Sequence, residues 1–501
     1  MFDFLKRLVG AKPAQPEAHN ARLVRSFSAA QVSRVLAPWK WDGGFSNTEI
    51  AAALATIRQR SRDMEKNSEH YLRWLDLFVA NVVGDGFKFK PLPGRETNVE
   101  KVDAKAAAFL SYHWWKWTTD PELADVTGRK SFAAICRLCA SNWARDGEAF
   151  VLIDRAAQND YGFSLRVIRP DAMDETMNLN GTATAIRNGV EVDRRTLRPV
   201  AYYFRAARED PASAMIGGKP VVRIPAANIL HIYTQHDETQ TRGIPLGHAV
   251  LCKLKMLDEY NVSELVAARD ESNTTGVYTA PAGQGGEIGE YDDDQSATLT
   301  MPSEPGTKIM LEQGWDYKTV TPSHPNRELT NFKNSMLRDV ASGLGLEYAC
   351  FANDWGGVSF SSVRAGTLAE RDHWRTLQAQ MIEQFVAPVF RAWLASFLKY
   401  RASSPYVAAD FPRLVEHEFR GRTWEWVDPM KDVNAAAVAV AHGWKTDTQI
   451  AADYGTDYEE NLAEQKRLKK KKESAGILTA APKVETTTPD TGKENDEDEK
   501  D

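Results

Sequence analysis

Cysteine is scarce: four residues, unevenly spaced, in a chain of 501. That excludes a disulfide framework and points to a reducing compartment, so the chain is expected to be cytosolic where it is made. No window approaches the roughly 18 uninterrupted apolar residues of a bilayer-spanning helix. The opening MFDFLKRLVGAKP is too short and too broken in its apolar stretch to form the core of a signal peptide. Hydrophobic residues at 43% and charged residues at 26% exclude a collagen-like, membrane-embedded or wholly disordered protein. At 501 residues the chain is too long for one hydrophobic core, so several subdomains are expected.

Excess positive charge is missing too. The net charge is −7, but residues 485–501 hold eight acidic residues and two lysines, hence −6, leaving −1 for everything before them. A protein that grips nucleic acid through many phosphates shows a basic surplus, so tight static DNA binding is not expected.

Enzyme signatures are absent as well. There is no GxxxxGK[ST] phosphate loop. His417-Glu418 lacks the second histidine of a helical zinc site, and Gly357-Val358-Ser359-Phe360-Ser361 fails the GxSxG elbow at its last position. Cys136 and Cys139 form a lone CxxC within an apolar helical run (Phe132, Ile135, Leu138) and read as packing residues. The histidines are scattered, apart from His231 and His236, which straddle a strand end. Asp292-Asp293-Asp294 lacks the glycine and glutamate of a calcium loop and reads as a solvated loop. No catalytic residue, cofactor or metal is expected.

What is present is patterned. Residues 1–45 read as a loosely ordered arm. Ile50, Leu54, Ile57, Ser61, Met64, Ser68, Tyr71, Leu75, Phe78 and Val82 recur at steps of four and three, predicting a helix capped by Asn47 or Thr48 and stopped at Gly84. Arg58, Arg60, Arg62, Asp63, Glu65 and Lys66 are assigned to its opposite, charged face. A strand at 87–90 follows, then a helix at 131–145 and strands at 148–153, 165–168, 201–204, 221–224 and 229–233, giving a mixed or antiparallel β region.

A helix over 247–275 would be roughly 43 Å long at 1.5 Å per residue; its stripe is Val250, Leu254, Leu257, Asn261 and Leu265. Residues 276–326 are turn-rich, with strands near 276–279 and 308–311. A second helix, 327–344, has Leu329, Phe332, Met336 and Val340 on one face and ends at Gly343 and Gly345. A Gly/aromatic loop then leads into a long helix from about Ser361 to Tyr400, interrupted near Pro388. Thr446 and Asp457 cap two later helices, and 473–501 reads as a disordered acidic tail. Two helices bracketing a turn-rich lobe make a stalk with a tip.

Trp114, Trp115 and Trp117, in the run Tyr112-His113-Trp114-Trp115-Lys116-Trp117, either stack on sugars or bases or pack a domain or subunit interface.

Five stretches, in order, resemble the lambda family of tailed-phage portal proteins. They are RSRDMEKNSEHYLRWLDLFVANVVGDGF (60–87), DGEAFVLI (146–153), HIYTQHDETQTRGIP (231–245), SGLGLEYACFANDWGGVSFSSVRAG (342–366) and WEWVDPMKDVNAAAVAVAHGWKTDTQIAADYG (424–455). The resemblance implies an α+β portal fold: a mixed α/β wing over 46–246, a two-helix stem (247–275 and 327–345), a small β clip over 276–326, a tunnel loop over 346–359, a long kinked helix over 360–400 that rejoins the wing, and a helical crown over 401–472.

It also implies a homo-oligomeric ring, usually of twelve copies, at one capsid vertex of the virion, assembled in the host bacterial cytoplasm. Double-stranded DNA passes through without sequence preference. Implied partners are the terminase large subunit, the head-tail connector, and the major capsid and scaffolding proteins, with no membrane. A near-neutral body suits a channel that must not trap DNA.

In the tunnel loop, Phe351, Asn353, Asp354 and Trp355 bring bulk and one negative charge, while Gly356 and Gly357 let the backbone flex. The loop either lines the narrowest point or is an ordinary surface connection. Arg364, Arg371 and Arg375 either meet phosphates or bridge subunits. Lys469 and Lys470, in the basic run 466–472, either face DNA or end a solvated helix. The tryptophans become subunit-interface candidates. Two other readings stay open: an aromatic-rich carbohydrate-binding protein, which would be monomeric, and a cryptic hydrolase built on paired carboxylates of raised pKa.

Overall fold

The apolar stripe near the start of the chain becomes one wall of the largest core. The structure is a computed structural model that describes residues 46–94, 102–205, 214–216, 219–273, 277–279, 316–318, 328–400, 404–424 and 429–475. The arm at 1–45, the strand expected at 308–311, the Asp292–Asp294 loop and most of the acidic tail lie outside the described residues.

Helices α1 (Ser46–Asn67) and α2 (Glu69–Val82) carry the stripe. Of its ten positions, nine are buried and Ile57 is half-buried. The single expected helix is broken at Ser68, whose backbone is extended. The stripe could not report the break, because the face toward the core continues through it. Asn47 is not a cap. It lies inside α1, where its side chain accepts from the Thr241 N–H (3.0 Å) and donates to the Thr239 carbonyl (2.6 Å).

Strand β1 (Lys88–Pro91) precedes α3 (Ala104–Thr119), the short α4 (Pro121–Ala124) and α5 (Phe132–Asp146). Asp103 caps α3 by accepting from the Lys105 and Ala106 N–H groups, and Ser131 caps α5. Strands β2 (Glu148–Asp154) and β3 (Ser164–Ile168) follow. Next come β4 (Leu179–Asn180), β5 (Thr184–Arg187), β6 (Val190–Asp193), β7 (Pro199–Arg205), β8 (Ala214–Ile216), β9 (Lys219–Pro225) and β10 (Ile229–Tyr233). They form a three-stranded sheet ordered β10-β2-β3 and a six-stranded sheet ordered β4-β5-β6-β7-β9-β8, antiparallel at every rung. Strands β4, β5, β6 and β8 escape sequence reading because each is only two to four residues long, too short for alternation to show.

The long helix α6 (Leu251–Asn273) leads to β11 (Val277–Thr279), which pairs with β12 (Asp316–Lys318). Helix α7 (Leu329–Leu344) returns toward the body. Val250, just before α6, and Leu254 and Leu257 within it are buried as expected, but Leu265 is 72% exposed. In α7 the buried face is Leu337, Val340, Ala341 and Leu344, rotated from the expected stripe; Phe332 is 47% exposed and packs edge-on against Tyr260.

After α8 (Tyr348–Ala352), α9 (Phe360–Met381) and α10 (Ala387–Tyr400) form one helical run joined by a π turn at Ile382–Val386. Pro388 supplies no N–H and its ring crowds the carbonyl four residues back, so the turn widens just before it. Gln380 and Gln384 use that register to hold the end of β10: Gln380 donates to the Tyr233 carbonyl (2.9 Å) and Gln384 accepts from its N–H (3.0 Å). Helix α11 (Phe411–Leu414), strand β13 (His417–Arg420, paired with β1), α12 (Pro429–Ala441), α13 (Asp447–Asp453) and α14 (Tyr458–Ser474) complete the chain. Thr446 and Asp457 cap α13 and α14 as expected.

Candidate functional site

Two glycines let distant segments cross. Gly147 (φ +87°) ends α5, and a Cβ on Gly243 would lie 2.0 Å from the Gly147 carbonyl oxygen. Only a residue without a side chain fits either position. The crossing brings Glu148, at the start of β2, against Arg242. Arg242 Nε donates to both carboxylate oxygens (2.9 and 3.1 Å), and the Gly243 N–H donates to Oε2 (2.9 Å). Arg58 of α1 and His231 of β10 complete the cluster, at 2.5 and 3.0 Å from the carboxylate. All four side chains are at most 5% exposed.

Burial alone would raise the Glu148 carboxyl, but Arg242 and Arg58 outweigh it and hold it well below its usual value. Burial lowers His231, keeping its imidazole neutral beside two guanidiniums. This cluster ties α1, β2, β10 and the 240–245 segment together. It is structural, and it corrects Arg58, which does not belong to a solvated face. The sequence did hold a signal: Arg58 is four residues after Leu54 and three before Ser61, so it shares their stripe.

The loop expected to line a passage begins buried. Phe351 is 2% exposed and packs 5.6 Å from His70, so it is withdrawn from the channel-facing set. Asn353 (φ +53°) caps α8 in the left-handed region. Asp354 accepts from the Tyr348 hydroxyl (2.8 Å) and the Gly356 N–H (3.1 Å); burial and then this bond push the phenol up to about 12. Trp355 is 52% exposed, its indole N–H reaching Asn353 Oδ1 (3.3 Å). Gly356 and Gly357 are exposed, with open space around the Cα of Gly357.

The arginines of α9 meet a second set that sequence reading missed. Arg364, Arg371 and Arg375 share a cleft of about 690 Å³ with Arg420, Arg422 and Lys445, against Asp432 and Asp453. Arg364 pairs with Asp432 (2.6 Å) and Arg375 with Asp372 (2.7 Å), both within the chain. The Arg371 and Arg375 guanidiniums lie 5.9 Å from the Trp424 ring centroid. Gln378 fixes the floor, donating to the Asn81 (2.7 Å) and Arg422 (3.0 Å) carbonyls. Lys469 and Lys470 lie on α14, exposed along its whole length.

The tryptophan cluster divides. Trp117 is fully buried, donating to the Leu123 and Phe163 carbonyls, and Trp114 packs 5.2 Å from Trp393. Both are withdrawn as subunit-interface and stacking residues, because core rings have no free face. Trp115, 60% exposed beside Tyr112, keeps that role open. Burial pushes the Asp258 carboxyl upward. Cys136 and Cys139 are fully buried free thiols held above their usual pKa by burial, as packing residues should be.

A family model described as "Phage portal protein, lambda family" matches residues 33–378. The "Probable portal protein" of Halomonas phage phiHAP-1 is 31% identical over 437 residues, covering 85% of this chain and 83% of that protein. "Portal protein B" of Escherichia phage lambda is 22% identical, covering 84% and 85%. Among solved structures, "Neck of native GTA particle computed with C12 symmetry" aligns with 78% of this chain and 92% of its own at 12% identity, with a TM-score of 0.46.

Proposed function

This chain belongs to the lambda family of phage portal proteins, and from that premise we propose that its copies close into a ring at one vertex of the phage head, the conduit for double-stranded DNA during packaging and ejection. The observation that carries the reading is the family match across residues 33–378. The family's role is structural, and we assign no reaction to this chain. The virion is its place of work, and the host cytoplasm its place of assembly.

The structure supplies physical support for a ring. Met256, Val262, Leu265 and Val266 of α6 are 49 to 72% exposed, an apolar surface that one chain leaves uncovered. In a cyclic ring each subunit offers one face to a different face of its neighbour, and the α6–α7 hairpin, the proposed stem, is where we place that contact, with Trp115 a second candidate. The tunnel-loop role is narrowed to Asn353, Asp354, Trp355, Gly356 and Gly357, which present bulk, one carboxylate and no cation to a passing duplex. Few cations means little counterion-driven adhesion. Lys469 and Lys470 are proposed to face DNA inside the head. The terminase large subunit, the head-tail connector and the capsid and scaffolding proteins are proposed partners, with terminase and connector meeting the 276–326 tip.

Imaging of the purified protein by negative stain, with its mass by light scattering, tests the reading. Twelve copies of 56.0 kDa would give a ring of about 670 kDa with a central hole. Discrete single chains under all conditions would overturn it.

A further inference from the structure

We propose that the arginine cleft between α9 and α12 is a carboxylate-binding site, and that its occupant is the acidic segment 485–501 of this chain's own sequence. This does not depend on the channel reading. Six cations line the cleft against two carboxylates. Asp372 and Glu418 pair with Arg375 (2.7 Å) and Arg420 (2.8 Å) from beside it, and Glu370 acts on Arg371, so among the described residues six cations face five acids. The guanidinium fork suits a carboxylate, which accepts two parallel N–H bonds. Burial, then Arg375, lowers the pKa of Arg371, so an added negative charge there relieves like-charge repulsion.

The matching negative charge is concentrated in one place. Residues 485–501 carry eight acidic residues and two lysines, −6 of the chain's −7. The reach is sufficient. Helix α14 starts beside the cleft: Asp457 caps it, and two residues earlier a Cβ on Gly455 would lie 2.7 Å from Oγ1 of Thr423, a lining residue. Its 17 residues carry the chain about 25 Å away at about 1.5 Å each. The ten residues 476–485, extended, span up to about 34 Å. That length is enough for the acidic segment to span the return to the cleft.

Carbodiimide cross-linking of the full chain followed by mass spectrometry tests this, because it joins a carboxylate to an amine in contact with it. Lys445 is the amine in the cleft, and its pair with Asp453 (2.8 Å) is an internal control. The expected result is links from Lys445 to carboxylates within 485–501, reduced at least fivefold in the double variant Arg371→Gln/Arg375→Gln while the link to Asp453 persists. Mixing with ¹⁵N-labelled chains distinguishes a tail from the same copy and one from a neighbour, and either upholds the site. A labelled peptide of residues 485–501, titrated onto a chain ending at Val484, should bind with salt-sensitive affinity and weaken at least tenfold in the same double variant. Tail links confined to the lysines of 466–472, peptide binding that ignores the double variant, or a cleft that takes a 20-base-pair duplex but not the peptide would each overturn the proposal.

Discussion

Arg242 reaches Glu148 across 94 residues of sequence and holds both of its carboxylate oxygens with one guanidinium. Removing Glu148 leaves the Arg242 and Arg58 guanidiniums buried without the carboxylate that pairs them. Glu148→Gln is expected to cost about 3–5 kcal/mol, read as a lower urea midpoint with an unchanged slope. A loss below about 1 kcal/mol would mean that the cluster is not what joins these segments.

The same cluster fixes the pH response. Glu148 has a depressed folded pKa, so its stabilisation is complete above the ordinary value of 4.5 and lost as pH falls toward the folded value. His231 is also lowered, from 6.5, so the unfolded chain takes up its proton first and acidification destabilises the fold from there downward. The melting temperature should decline below about pH 6.5 and more steeply below about 4.5. A flat profile from pH 7 to 4 would contradict this.

Neighbouring tryptophans should behave oppositely. Trp114→Ala empties a core site and should cost about 3–5 kcal/mol. Trp115→Ala should change the stability of the single chain by no more than about 0.5 kcal/mol. Equal effects in thermal unfolding would refute the division between buried and exposed rings.

Leu265→Glu places a charge on the exposed face of α6. The chain should fold normally by circular dichroism yet fail to assemble in sedimentation velocity. Intact rings would move the subunit contact elsewhere.

Trp355→Ala alters a half-exposed ring that holds no core contact, so rings should form normally while DNA retention after packaging changes. Phe351→Ala, a change in a buried ring, should lower stability instead, by about 3–5 kcal/mol. Unchanged retention in Trp355→Ala would remove the loop from the passage.

Much of the fold was legible because periodicity is a local property. The stripe from Ile50 to Val82, the caps at Thr446 and Asp457, and the strand 229–233 depend on spacing and on residues close in sequence, and the structure returns each of them. The break at Ser68 was not legible, since a stripe reports which side faces inward and not where the axis turns. Among the candidate residues, Trp355 and Trp115 are exposed, whereas Phe351, Trp114 and Trp117 are buried, which no local pattern announced.

The sequence by itself determined the helical frame, the β-rich middle and the concentration of negative charge at one end. Only the tertiary structure decided which charges meet. Ion pairing depends on positions brought together by chain crossing, and here two glycines, 147 and 243, permit the crossing that seats Arg242 and Arg58 on Glu148. The gathering of Arg364, Arg371 and Arg375 with Arg420 and Arg422 was settled the same way, by the packing of helices that no local pattern connects.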